Sequence, residues 1–204
     1  MPGPLEGYKV LELTSTVSGP FASMMLADQG ADVVKVEPPG IGDLARFMGT
    51  IKSGIGAMFT VLNRNKKCIC LDFKNPEDFE VLKTLIKETD VLIENYRPGV
   101  VKKLGIDCDS AVKLNQEIIY CSISGYGQSG PYKERKVYDP LIQATAGTAA
   151  AQSSKNPEFF KTIVFDKVTA LTAAQSITSA LLQKERIGKG QYIPISMMDS
   201  ALYY

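Results

Sequence analysis

The sequence predicts an α/β protein with a mostly parallel sheet and flanking helices. Three observations carry that expectation. Short strand-like runs alternate with helix-like stretches along the 204 residues, the order that gives a helix-wrapped parallel sheet. Glycine and proline clusters separate the runs. The composition, 45% hydrophobic and 22% charged, is that of a globular chain, with no collagenous or low-complexity tract.

The first run, residues 8–13, alternates with period two and reads as a strand. A breaker-rich stretch, 14–20, follows, and Pro20 opens a helix over residues 21–29 that Gly30 caps. Residues 31–37 form a second strand, ended by Pro38-Pro39-Gly40, so the opening is one βαβ unit. A loop and a short helix are expected up to Leu62, then a strand over 68–73. Asn75-Pro76-Glu77-Asp78 supplies an N-cap, a first-turn proline and two acids suited to the helix dipole. Phe79, Leu82, Leu85 and Ile86 give that helix one buried face. Strands over 91–95 and 118–124 are separated by a short helix at 100–104. Beyond the turn-rich 125–131 come a helix over 140–151 and a long one, rich in Ala, Ser and Thr, over 166–186. Gly188-Lys189-Gly190 ends it, a strand occupies 191–196, and 197–204 reads as the first turns of a new helix. The uncompleted last helix suggests a truncated chain.

Composition narrows the chemistry. The 23 Lys and Arg against 22 Asp and Glu leave a net charge of +1, which makes no electrostatic case for nucleic acid. There is no histidine, which removes Ser-His-Asp and Cys-His nucleophile systems and His-ligated zinc. Cys68, Cys70, Cys108 and Cys121 contain no CxxC pair, so they read as free buried thiols of a reducing cytoplasm. No apolar run approaches membrane-spanning length and no secretory leader is visible. The expectation is a cytoplasmic protein without metal or membrane partner.

Three features bear on a site. Glu37 ends the second strand, where a dinucleotide fold keeps its ribose-binding acid, yet the turn at 15–20 holds only Gly19 and lacks the glycine fingerprint. Glu37 is therefore expected as a solvated strand-end residue. Basic residues gather at Arg64, Lys66 and Lys67, and at Arg97, Lys102, Lys103, Arg135 and Lys136. They read as solvated faces or, beside strand ends, as partners of a phosphate-bearing ligand. Asp166 follows the apolar Ile163-Val164-Phe165. Local pattern leaves it either a helix N-cap or a carboxylate kept ionised as a nucleophile.

Several segments together resemble the class III CoA-transferase family, which includes formyl-CoA and carnitine CoA-transferases and the α-methylacyl-CoA racemases. They are Pro4-Leu5-Glu6-Gly7, Gly19-Pro20, the run from Leu26 to Glu37, Asn63-Arg64-Asn65-Lys66-Lys67, Glu94-Asn95-Tyr96-Arg97-Pro98-Gly99, Ser124-Gly125-Tyr126-Gly127, Lys136-Val137-Tyr138-Asp139, Gly188-Lys189-Gly190-Gln191 and Met198-Asp199.

The resemblance implies a Rossmann-like CoA-binding domain over residues 1–204, the N-terminal part of the family's large domain, with the small domain absent, and a homodimer of interlocked subunits. It points to Asp166 as the catalytic aspartate. It places CoA contacts on Ser15, Thr16, Val17 and Ser18, on Leu71, on Asn95, Tyr96 and Arg97, on Lys103 and Leu104, and on Lys136 and Tyr138. Pro38 stands where many members carry a phosphate-binding arginine. The implied activity is CoA transfer from an acyl-CoA to an acceptor carboxylic acid. Asp166 attacks the thioester to form a mixed anhydride, the CoA thiolate returns to give an aspartyl-CoA thioester, and the acceptor collects the CoA. The racemases of the family need a histidine where this chain has Tyr138, which favours transfer over α-proton exchange. A CoA-binding fragment without catalysis is the remaining alternative.

Overall fold

The computed structural model describes residues 2–153 and 155–204. Its main sheet holds six strands, β1 (Lys9–Leu13), β2 (Asp32–Glu37), β5 (Lys66–Cys70), β6 (Val91–Glu94), β7 (Ile119–Ser124) and β8 (Tyr192–Ser196). Every neighbouring pair is parallel, in the order β5-β2-β1-β6-β7-β8. The mixed possibility left by "mostly parallel" is thus resolved to all-parallel. Counted within the sheet, that order is 3-2-1-4-5-6, the doubly wound arrangement with a switch point between its first and fourth strands.

Both faces of the central strands are covered, so their residues are apolar almost without interruption rather than alternating. One face packs on α1 (Ser18–Asp28) and α8 (Val164–Ile187), with Val10, Val91, Ile93, Ile119 and Cys121 meeting Ala22, Leu26, Ala173, Ile177 and Leu181. The alanines on α8 let it lie close against α1 and the sheet. The other face packs on α3 (Pro76–Glu88), α4 (Val100–Leu104) and α5 (Cys108–Leu114), where Leu11, Leu92 and Tyr120 meet Leu82, Ile86, Ile106 and Ala111.

Differences from the sequence reading have local causes. Helix α1 begins at Ser18 instead of Phe21, because Pro20 falls in the first turn, where its missing N–H costs nothing. The fifth strand runs over 66–70, two residues early, since Leu71 bonds back to Glu37 O and Asp72 begins a turn to the Asn75 cap. The segment before it contains a 3-10 turn (Leu44–Phe47), a small hairpin of β3 (Ile51–Lys52) and β4 (Ile55–Gly56), and α2 (Ala57–Leu62). Left-handed Gly147 divides the helix expected over 140–151 into α6 (Asp139–Thr145) and α7 (Thr148–Ala151). The last helix is α9 (Met197–Tyr203).

All four cysteines are free, but burial holds only for Cys121; Cys68 and Cys70 are exposed on the edge strand and Cys108 is half-buried. Among the described residues no helix is long and apolar enough to cross a membrane.

Candidate active site

Connections from β1 and β6 leave in opposite directions, so their carboxyl ends open a crevice between them. A cleft of about 500 Å³ lies there, within the ~300–1,000 Å³ common for small-molecule sites. Its floor is made by the loop 15–18 after β1 and the loop 95–98 after β6. The Asn95 side chain ties the two: Oδ1 accepts from Ser15 N–H at 3.0 Å and Nδ2 donates to Ser15 O at 2.9 Å. Thr16 is held at φ 73°, a conformation that a β-branched residue seldom takes. Its N–H donates to Asp43 Oδ1 at 2.9 Å. The side chain of Glu94, below this loop, accepts from Tyr96 N–H at 2.8 Å, and burial pushes Glu94 up to about 7.

The segment 133–140 forms the opposite wall with Arg135, Lys136 and Tyr138. Its close approach to β7 depends on Gly125, where a Cβ would come within 2.3 Å of Val137 Cγ1. Arg135 stacks over the Tyr132 ring at 3.9 Å, and Tyr138 is 70% exposed.

Asp166 lines the same cleft. It is the third residue of α8, not its N-cap; Ile163 occupies that position without a side-chain cap. Asp139 does the capping from outside the helix: its Oδ2 accepts from Phe165 N–H at 2.6 Å and Asp166 N–H at 2.9 Å, and Gln143 holds its other oxygen. Burial raises Asp166 from the ordinary carboxylate range to about 7, and the Asp139 charge adds to the rise, while the hydroxyl and N–H of Ser18 act the other way. Among the described residues Asp166 has no ion-pair partner. A carboxylate raised in this way is a stronger base and nucleophile when ionised than one held by a cation.

The structure brings Ser15, Thr16, Val17, Ser18, Asn95, Tyr96, Arg97, Lys136, Tyr138 and Asp166 into this one cleft. Leu71, Lys103 and Leu104 lie outside its lining: Leu71 is buried in the core under β2, and Lys103 and Leu104 belong to α4. One sequence expectation is overturned and a second holds in part. Glu37 is buried, not solvated, because Arg46 grips both its oxygens at 2.7 Å. The Arg64, Lys66 and Lys67 cluster lies at the start of β5, outside the lining of the cleft: Arg64 and Lys67 are exposed, as expected of a solvated face, and pair with Asp28 and Asp32, whereas the Lys66 side chain is buried against Glu12. Asp139 was not singled out as a functional residue. Its reach of 27 positions to Asp166 cannot be read from local pattern, although an aspartate before a proline is a recognisable capping signal.

The model of "CoA-transferase family III" matches residues 5–204. The chain belongs to CoA-transferase family III. Similar relatives include the formyl-CoA:oxalate CoA-transferase of Afipia carboxidovorans, 39% identical over 97% of this chain and 47% of that protein. The human succinyl-CoA:glutarate CoA-transferase is 38% identical over 97% of this chain and 46% of its own length. The chain thus spans about half the length of these relatives. A solved CAIB/BAIF family protein from Brucella suis, 38% identical, superposes with a TM-score of 0.94 over 100% of this chain and 55% of that one. Among the described residues no group of three or more His, Cys, Asp or Glu is placed to hold a metal ion.

Proposed function

We propose that the protein moves CoA from an acyl-CoA to an acceptor carboxylic acid, with Asp166 as the covalent nucleophile. The observation that carries this reading is the state of Asp166: a cleft carboxylate without a cation partner, raised to about 7, and served by the N-terminal end of a 24-residue helix. Its ionised oxygen attacks the thioester carbonyl, the carbon–sulfur bond breaks, and CoA leaves as thiolate, giving a mixed anhydride. The thiolate then attacks the aspartyl carbonyl and expels the first carboxylate. The aspartyl-CoA thioester so formed passes its CoA to the acceptor, and Asp166 returns to its carboxylate. Each half conserves the energy that direct hydrolysis would lose.

Arg97 and Lys136, which both line the cleft, suit the phosphates of CoA. Ser15, Thr16, Val17, Ser18, Asn95, Tyr96 and Tyr138 would meet the remainder of the ligand; Leu71, Lys103 and Leu104 would be reached only by a CoA that extends past the cleft toward α4. The names of the relatives, formyl-CoA:oxalate, succinyl-CoA:glutarate and acetyl-CoA:oxalate CoA-transferase, support transfer between small carboxylic acids. We take residues 1–204 as one CoA-binding α/β unit, the assembly as a homodimer and the compartment as the reducing cytoplasm.

The test is to incubate the intact protein with an acyl-CoA, add hydroxylamine, and map the modified residue by mass spectrometry. A hydroxamate on Asp166, absent in Asp166→Ala, is the expected result; full transfer activity in Asp166→Ala would overturn the reading. Deuterium uptake from solvent at the α-carbon without transfer would indicate the racemase chemistry instead.

A further inference from the structure

Under the β1 side of the cleft lies a buried ionic cluster that the transfer chemistry does not use. Lys35 Nζ contacts Glu12 Oε1 at 2.7 Å, Asp43 Oδ2 at 2.9 Å and Thr14 O at 2.8 Å. Lys66 Nζ meets the other Glu12 oxygen at 2.8 Å. Lys35 and Glu12 are fully buried and Asp43 is 1% exposed. Asp43 is the member that reaches out of this cluster. Its Oδ1 accepts from Thr16 N–H and from Ala45 N–H, both at 2.9 Å, and its own N–H donates to Glu37 Oε2 at 2.8 Å. The segment carrying Asp43 is thereby fixed at three points: to Lys35, to the Glu37–Arg46 pair and to its own 3-10 turn.

Thr16 is the strained residue of the cleft floor, at φ 73°. Such a conformation in a β-branched residue persists only where its surroundings enforce it. Two residues on, Ser18 starts α1 and lines the cleft together with Asp166. The path from cluster to nucleophile is therefore Lys35, Asp43, the Thr16 amide, Ser18 and Asp166, and no link in it is exposed surface.

We propose that Asp43 is a positioning residue: its Oδ1 holds Thr16 in its left-handed conformation, so that Ser18 and the cleft floor are set against Asp166 and the bound thioester. This inference rests on the reading of Asp166 as nucleophile. Substitution at Asp43 separates the lock on Thr16 from the stability of the cluster. Asp43→Ala removes both contacts. Asp43→Asn keeps an oxygen for Thr16 N–H but turns an amide toward the Lys35 ammonium, so it should melt no higher than Asp43→Ala.

The experiment measures steady-state transfer, hydroxylamine labelling of Asp166 and melting temperature on the intact protein and its variants. Asp43→Ala should lower kcat/KM by about a hundredfold, the scale of a 1 Å misplacement in an active site. Asp43→Asn should restore it to within about threefold of wild type without restoring stability, since its oxygen still accepts the Thr16 N–H at a normal distance. Thr16→Gly, which reaches φ 73° without strain, combined with Asp43→Ala should be no worse than Asp43→Ala alone, because the two act on one conformation. Activity that follows melting temperature across the series, or losses that multiply in the double variant, would overturn the positioning role. Labelling of Asp166 at equal rates in wild type and Asp43→Ala overturns the positioning role alone, whereas wild-type protein that never labels at Asp166 overturns the transfer reading and this inference with it.

Discussion

Two regions on the same side of the sheet bury carboxylates and treat them in opposite ways. Glu12, in the middle of β1, is wrapped by two lysines: burial alone would raise it, but Lys35 and Lys66 outweigh burial and hold it down to about 2. Asp166, at the start of α8, has no cation partner among the described residues; burial and the Asp139 charge carry it up to about 7 against the pull of Ser18. Complete pairing makes a rigid footing that titrates outside the physiological range; withheld pairing leaves a group whose charge is available for chemistry. Sequence position gives no hint of this contrast, since both are single acids next to apolar residues.

The comparison breaks most visibly in activity. Asp166→Ala should lower transfer by at least about 1,000-fold, as loss of a covalent nucleophile does, measured as CoA moved from an acyl-CoA to a carboxylate acceptor. Glu12→Ala should leave activity per folded molecule largely intact while costing about 3–5 kcal/mol of stability in urea titration, because it strands two buried ammonium groups. If Glu12→Ala were neutral, the cluster would not be the footing described here.

The pH dependence of stability sharpens the same point with opposite signs. A carboxylate raised in the folded state binds its proton more tightly there, so Asp166 lowers stability as pH climbs from its unfolded value of 3.8 toward about 7. Asp166→Asn should remove that decline and be more stable than wild type at pH 8. Glu12 contributes stability that is full above 4.5 and lost as pH falls toward 2, so Glu12→Gln should flatten the acid limb. Equal pH profiles for Asp166→Asn and wild type would refute the burial of an uncompensated carboxylate.

The smallest effects lie in the cleft walls. Arg97→Ala and Lys136→Ala should each weaken CoA binding about tenfold by calorimetry, with the loss shrinking at high salt. Lys103→Ala, on exposed α4, should cost about threefold or less, as for a solvent-screened contact. A loss at Lys103 equal to that at Arg97 would mean that the phosphates run along α4 instead of staying in the cleft.

The alternation of strands and helices, the Asn75 cap, the long small-residue helix and the glycine stop after it were legible in the sequence because they are local: spacing, capping chemistry and breakers act within a few residues. The order of the strands followed only in class. The Ser15 loop, Asn95, Arg97, Lys136 and Asp166 were named from their family pattern, and folding gathers them at one strand end. What tertiary structure alone decided concerns charges and their partners. Glu37 turned inward because Arg46, nine residues away, could grip it, and the Lys66 side chain left the surface because Glu12, two strands away on β1, came within 2.8 Å of it. Asp166 escaped the capping role because Asp139 filled it from 27 residues upstream. A side chain's type fixes what it can bond, but whether a carboxylate is neutralised or left ready depends on which groups the fold brings within 3 Å, and that distance is set by the packing of the whole sheet.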